Sequence, residues 1–172
     1  MSSATETRTR LDRAAPWIST VLRLVLGGVL LVAGGLKVID PQTSVQAVRA
    51  YQLLPDGLAR IVGWGLPFAE IALGLLLIVG LFTRVAAIAA GVLMVVFIVA
   101  VTSAAARGLS IDCGCFGGGG QVAPGQTAYA AEILRDVGLL LSAVWLAWRP
   151  ESRYALDHDD GIDDGEIEED EQ

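Results

Sequence analysis

The sequence of 172 residues contains only two cysteines and one histidine, and these low counts argue against several metal centres. A structural zinc site needs about four ligands. An iron–sulfur cluster needs four cysteines, more than one copy of the chain supplies. Attachment of a c-type haem requires an adjacent histidine and a different cysteine spacing, whereas the single histidine is His158, far from both cysteines. We therefore predict no metal site.

Charged residues are also scarce, at 18% of the chain, while hydrophobic residues make up 53%. The mean hydropathy is +0.57. A soluble domain of this length carries more charge and shorter apolar runs. Runs of about 18 apolar residues with few charges are candidate membrane-spanning helices. The composition therefore predicts an integral membrane protein surrounded by a lipid bilayer.

The net charge of −7 belongs to one end of the chain. Residues 157–172 hold ten of the 19 acidic side chains and no lysine or arginine, and the rest of the chain has a net charge of +3. We expect no nucleic-acid partner. A polar acidic segment that buries little apolar area does not offset its ordering entropy. The sequence therefore predicts a disordered acidic tail over residues 150–172.

The apolar segments predict an all-α membrane domain over residues 16–149, preceded by a flexible polar lead-in over residues 1–15. Four spans are expected, over residues 17–38, 58–80, 85–106 and 127–148. The first is longer than the apolar core of a signal peptide, the alternative interpretation of such a segment. The very short link after the second span predicts an antiparallel hairpin. A four-helix bundle is the expected arrangement.

The distribution of lysine and arginine predicts the orientation, because cytoplasmic flanks carry an excess of both. With the N-terminus inside, six basic residues flank the inner ends: Arg8, Arg10, Arg13, Arg84, Arg149 and Arg153. Four lie in the outer loops: Lys37, Arg49, Arg60 and Arg107. Both termini are therefore predicted to lie in the cytoplasm, and the cysteine loop outside the bacterial inner membrane.

Small residues predict where the spans touch, since membrane helices associate through close packing. On the first span they are Gly27, Gly28, Gly34 and Gly35, and on the third Ala86, Ala87, Ala90 and Gly91. The alternative is that glycine and alanine are simply frequent in membrane helices.

Cys113 and Cys115 are separated by one glycine in the long glycine-rich break of the chain. A disulfide between them would close a very small ring, and strain makes such a bond easy to reduce. It would also remove little loop entropy, so it would stabilise the fold weakly. The spacing therefore favours thiol–disulfide exchange. Two reduced thiols without a role, or metal binding, are the alternatives.

The sequence leaves open which thiol attacks. Asp112 is expected to raise the pKa of the neighbouring Cys113, whereas a nearby cation would lower the pKa of either thiol. Lys37 and Arg107 are predicted at the same surface and are the candidate cations.

Ionisable residues also occur inside the predicted spans: Arg23, Glu70, Glu132, Arg135 and Asp136. Charges in a bilayer usually pair or line a polar cavity. Helical rise places both Arg23 and Arg135 within reach of Glu70. We expect an ion pair that fixes helix packing. The alternative is a pocket formed by Glu70, Arg23 and Arg135 for a quinone head group or a proton path.

Several motifs occur in order along the chain and together resemble the MauE branch of the DoxX-like membrane proteins. They are Arg23–Gly27, Ala33–Lys37, Tyr51–Pro55, Leu66–Pro67 with Glu70, Gly74–Gly80, Cys113–Gly117 and Arg135–Asp136. The likeness covers residues 17–148, and the cysteine motif with its following Phe-Gly is its most specific part.

The resemblance implies a four-span membrane protein linked to extracytoplasmic thiol chemistry. MauE proteins are associated with maturation of a disulfide-rich periplasmic amine dehydrogenase, alongside a thioredoxin-like partner. We therefore expect a membrane thiol–disulfide redox partner that exchanges electrons through Cys113 and Cys115. The alternative is a non-catalytic anchor or assembly subunit of a DoxX-like, quinone-linked membrane oxidoreductase.

Overall fold

The computed structural model describes residues 2–116, 118–123 and 126–149, which form five helices and one pair of short strands. In chain order these are α1 (Ser2–Ile39), α2 (Pro41–Ala50), α3 (Asp56–Val79), α4 (Thr83–Ala106), β1 (Ile111–Asp112), β2 (Gly120–Gln121) and α5 (Tyr129–Trp148). The chain is mostly helical, as predicted. The short helix α2 and the antiparallel strand pair were not predicted. The predicted disordered tail, residues 150–172, lies outside the described residues.

The first helix begins much earlier than predicted. It starts at Ser2 and so includes nearly all of the segment predicted as a flexible lead-in. Residues 2–15 contain neither glycine nor proline, and several of them favour helix. Pro16 lies inside the helix, and the Thr20 hydroxyl donates a hydrogen bond of 2.8 Å to its carbonyl oxygen.

Three helices of the described chain are long and apolar enough to span a membrane. They are the part of α1 from Ala15 to Ile39, the whole of α3 and the whole of α4. The fourth predicted span forms α5, but three ionisable residues in its first half interrupt its apolar character. Length and composition therefore support three of the four predicted spans.

Helices α1 and α3 pack through glycine, which lets their backbones approach closely. A β-carbon at Gly27 would lie 2.9 Å from the Gly74 carbonyl oxygen, and one at Gly34 would lie 2.7 Å from the Pro67 carbonyl oxygen. Gly28 and Gly35 have nothing within 4 Å of that position. The predicted contact is confirmed for Gly27 and Gly34 and is wrong for Gly28 and Gly35. Neighbouring residues point about 100° apart around a helix, so only one of each pair faces α3.

Helices α3 and α4 are joined by three residues, and Gly80 ends α3 in the left-handed conformation, with φ 73°. Helix α4 then packs mainly on α5, as α3 packs mainly on α1. The predicted small-residue face of α4 is buried at Ala86, Ala87 and Ala90. A core of buried side chains from α1, α3, α4 and α5 joins the two pairs of helices.

The two ends of the membrane domain lie together. The Ser19 hydroxyl of α1 donates a hydrogen bond of 3.1 Å to the Arg149 carbonyl oxygen, which directly follows α5. The Trp145 indole donates to the same hydroxyl, also at 3.1 Å. At the other end of α5, the Tyr129 hydroxyl accepts a hydrogen bond from the Ile111 amide at 3.2 Å. The cysteine loop and the ends of this domain therefore lie at opposite ends of the helices.

Candidate functional site

The cysteines lie in the loop between β1 and β2, which rests on α2. Three glycines of this loop and the first residue of β2 have left-handed φ angles: Gly114, Gly118, Gly119 and Gly120. A β-carbon at Gly114 or Gly119 would lie only 2.6 or 2.5 Å from the Ala47 β-carbon. Both the backbone conformation and the close approach to α2 therefore require glycine.

Hydrogen bonds within the loop, and one from the end of α2, fix the loop around the thiols. The Asp112 carboxylate accepts one from the Gly114 amide at 3.1 Å. The Cys115 amide donates to Cys113 Sγ at 3.3 Å. The Tyr51 hydroxyl, at the end of α2, donates to the Cys113 carbonyl oxygen at 3.4 Å. Both cysteines are free thiols, and their side chains are hydrogen-bonded to each other.

The two thiols have opposite electrostatic environments. The hydrogen bond from the Cys113 thiol lowers the pKa of Cys115, and the positive charges of Arg135 and Lys37 lower it further. The same hydrogen bond raises the pKa of Cys113, and burial and the charge of Glu132 add to that increase. The thiolate is the reactive form of a cysteine, and these shifts favour Cys115 over Cys113 as the sulfur that ionises. It is also the more buried sulfur, with Cys115 only 7% exposed.

Arg135 supplies positive charge directly beside the loop. Its guanidinium carbon lies 4.9 Å from the centre of the Phe116 ring, a cation–π distance. One guanidinium nitrogen lies 2.8 Å from the Asp136 carboxylate. The first half of α5 thus presents this arginine to the cysteines.

The two cations predicted beside the thiols have different positions. Lys37 contributes to the lowered pKa of Cys115, as the sequence indicated. Arg107 instead donates hydrogen bonds to the carbonyl oxygens of Ser103 and Tyr51. It therefore ties the end of α4 to the end of α2.

Glu70 pairs with Lys37, a partner that the sequence did not predict. The Lys37 ammonium lies 2.5 Å from Glu70 Oε1, and the two side chains are 6% and 1% exposed. The expected partners were Arg23 and Arg135, and that expectation is corrected here. Gly34 faces Glu70 across the α1–α3 contact, and Lys37 is one helical turn further along α1. Arg23 is eleven residues from Gly34, about 16 Å along the helix, which is beyond the reach of its side chain.

Three of the five predicted site residues meet around one small cavity of about 20 Å³. Cys115, Glu70 and Arg135 line it, together with Asp136. Cys113 does not line this cavity, and Arg23 is buried separately toward the opposite end of α1. The buried ions and the thiols thus form one continuous cluster.

Two residues of the site were not predicted as such. A carboxylate oxygen of Asp112, the Sγ of Cys113 and a carboxylate oxygen of Glu132 all lie within 4.8 Å of one another. Glu132 is 9% exposed, and its Oε2 has no hydrogen-bond partner among the described residues. Its helical spacing from Arg135 was a signal for its position. Tyr51 was recognisable only as part of the Tyr51–Pro55 motif.

The comparisons with known proteins that found a match agree on one protein family. The sequence model of the family "Methylamine utilisation protein MauE" matches residues 15–149. The "Methylamine utilization protein MauE" of Methylorubrum extorquens is 35% identical over 136 residues, which cover 78% of this chain and 71% of that protein. No solved structure matches the chain.

Proposed function

The chain belongs to the MauE family, and from this premise we propose that it is a membrane thiol–disulfide redox partner. Its role is the formation of extracytoplasmic disulfides, or the maturation of redox proteins that contain them. Amine dehydrogenase-type proteins of methylamine utilisation are the proposed clients. The observation that carries the proposal is the hydrogen-bonded pair of Cys113 and Cys115, in which cations lower the pKa of one sulfur.

In the proposed reaction the oxidised protein carries a disulfide between Cys113 and Cys115. A client thiolate attacks Sγ of the half-exposed Cys113, the disulfide breaks, and Cys115 leaves as a thiolate. A thiol of low pKa is the better leaving group, and Arg135 and Lys37 supply the charge that stabilises it. A second client thiolate then attacks the client sulfur of the mixed disulfide. Cys113 is released and takes up a proton, so two electrons have passed from the client to the pair.

We propose that α5 is a fourth membrane span. Its 20 residues extend about 30 Å, the thickness of the hydrocarbon core. Glu132 and Asp136 are buried against the other helices, whereas Leu134 and Leu141 are 74% and 65% exposed. Inward-facing charges and outward-facing leucines are what a span with ionisable residues requires.

The proposed orientation places the cysteine loop outside the bacterial inner membrane and both termini in the cytoplasm. The distribution of lysine and arginine supports it, as does the persistence of disulfides in the periplasm. A thioredoxin-like extracytoplasmic protein, or another subunit of a membrane oxidoreductase, is the proposed immediate partner. Its exposed cysteine would meet Cys113 at the loop.

Labelling of intact cells tests the orientation. In a Cys115→Ser chain, which lacks the side-chain hydrogen bond that raises the pKa of Cys113, a membrane-impermeant maleimide is expected to label Cys113 without permeabilisation. A matched probe is Leu81→Cys in a chain whose native cysteines are serine, because Leu81 is exposed in the turn between α3 and α4. That probe should react only after the membrane is opened. The reverse pattern would place the loop in the cytoplasm and remove the proposed function.

Trapping of mixed disulfides tests the chemistry. With Cys115→Ser, a disulfide-bearing partner is expected to remain covalently attached through Cys113. With Cys113→Ser, the buried Cys115 should trap much less. The double variant should assemble normally and leave clients unoxidised. If the double variant supports full client oxidation, the anchoring role is correct and the redox role is wrong.

A further inference from the structure

An apolar cavity of about 340 Å³ opens beside the two thiols, between α2, α3 and α4. Cys113 and Cys115 form part of its wall, and the rest of the wall is largely aliphatic and aromatic. The cavity exists because α3 packs mainly on α1 and α4 mainly on α5. The cleft that remains between α3 and α4 is covered at the loop end by α2.

The cavity extends into the depth of the membrane. Val62 and Leu66 are six and ten residues from the start of α3, about 9 and 15 Å along the helix. Phe97 is nine residues from the end of α4, about 14 Å along that helix. Val62 and Val96 are 39% and 55% exposed, so the cavity opens sideways between the two helices, on the surface that faces lipid.

Polar groups occur at one end of the cavity. Lys37 and Tyr51 line it beside the cysteines, and the Lys37 ammonium lies 5.6 Å from the centre of the Phe97 ring. The cavity therefore suits a molecule with a polar ring at one end and a long apolar chain at the other. Such a molecule would enter from the bilayer.

The chemistry of the pair also calls for such a molecule. A dithiol holds two electrons, and the sequence contains no second cysteine pair to accept them. Once the pair has oxidised a client, it needs a two-electron acceptor before it can act again. We propose that the cavity binds an isoprenoid quinone, which reoxidises Cys113 and Cys115. This inference rests on the proposed function and names the oxidant for it.

The step balances. The sulfurs of Cys113 and Cys115 form the disulfide, and two electrons pass to the quinone. The two cysteines give up their two thiol protons, and the quinone takes up two protons. The products are the disulfide and the hydroquinone. The client reaches the pair from the loop side, and the quinone reaches it from the membrane.

Oxidation of the purified full-length protein by decylubiquinone tests the proposal. The reduced protein, in lipid nanodiscs, is mixed with the quinone, and loss of free thiols and appearance of the hydroquinone are followed together. We expect one hydroquinone per pair and a rate that saturates with quinone concentration. A rate that rises linearly, without saturation, would indicate reaction from solution and overturn the binding site.

Two tryptophan variants of neighbouring residues localise the site. Ala100 lines the cavity and Val99 is 60% exposed outside it. We expect Ala100→Trp to slow oxidation by decylubiquinone at least tenfold and Val99→Trp to leave it unchanged. Val62→Trp is a second cavity variant, at a half-exposed position, in case Ala100→Trp fails to fold. Equal rates in the folded cavity variants and in Val99→Trp would refute the site.

Exchange of the wild-type pair with glutathione disulfide separates this inference from the proposed function. If the thiols exchange with glutathione disulfide and decylubiquinone does not oxidise them, the quinone site is wrong and the thiol role stands. If neither reagent oxidises them, both are wrong.

Discussion

Removal of the Lys37 charge is the most informative single perturbation. Lys37 is one member of the buried ion pair, and it also lines the apolar cavity. Lys37→Met leaves the Glu70 carboxylate at 1% exposure without its partner. Breaking a buried pair from one side costs about 3–5 kcal/mol. We expect the free energy of unfolding to fall by that amount. If Glu70 takes up a proton instead, the free energy of unfolding should fall by only part of it.

The double variant Lys37→Met, Glu70→Leu should regain most of the lost stability. Replacing both members of a buried ion pair by apolar residues is often neutral, since no isolated charge remains. Unfolding of the detergent-solubilised protein, followed by far-ultraviolet circular dichroism, compares the three proteins. If the single variant is as stable as the wild type, the pair does not hold α1 against α3.

The same double variant separates a structural from a functional role of the pair. The Lys37 charge helps to lower the pKa of Cys115. Its removal should raise that pKa and slow alkylation of Cys115 at neutral pH, although the fold is restored. Alkylation at the wild-type rate in a stable double variant would show that the ion pair serves packing alone.

Two further predictions concern the helix contact and the loop. Gly34→Ala should destabilise the protein by about 1–3 kcal/mol through overpacking against α3. Gly35→Ala is the control and should have no such effect, because the space around Gly35 is open. Equal thermal midpoints for the two variants would contradict the packing described. In a Cys115→Ser background, Glu132→Gln should lower the pKa of Cys113 by removing a negative charge, and faster iodoacetamide alkylation near neutral pH would show it. A slower reaction would mean that Glu132 assists Cys113 rather than repelling its thiolate.

The sequence alone was sufficient to predict the features of the fold that depend on a local pattern of residues. Long apolar runs place α1, α3 and α4, because spans depend on length and hydrophobicity alone. The two cysteines are separated by one glycine, which keeps their α-carbons within about 7 Å of each other in any fold. The family resemblance depended on such short motifs as well, and it is confirmed.

The partner of Glu70 is set by the register of α1 against α3, and no local sequence pattern determines that register. Depths measured from the end of each helix brought Arg23 close to Glu70. The glycine contacts set a different register and bring Lys37 level with it. Lys37 was counted with the outer loop, although it lies at the end of the predicted first span. A long flexible side chain at a helix end can reach back into the protein.

The geometry of the pair also bears on the direction of electron flow. Cys115 is buried beside cations that lower its pKa, whereas Cys113 is partly exposed and has a raised pKa. The direction of electron flow is set by reduction potentials, and stabilising the reduced form of a pair makes its disulfide a stronger oxidant. The charges of Arg135 and Lys37 favour a thiolate at Cys115, and so they favour the reduced pair. Electrons are therefore expected to flow from the client into the pair and then toward the membrane.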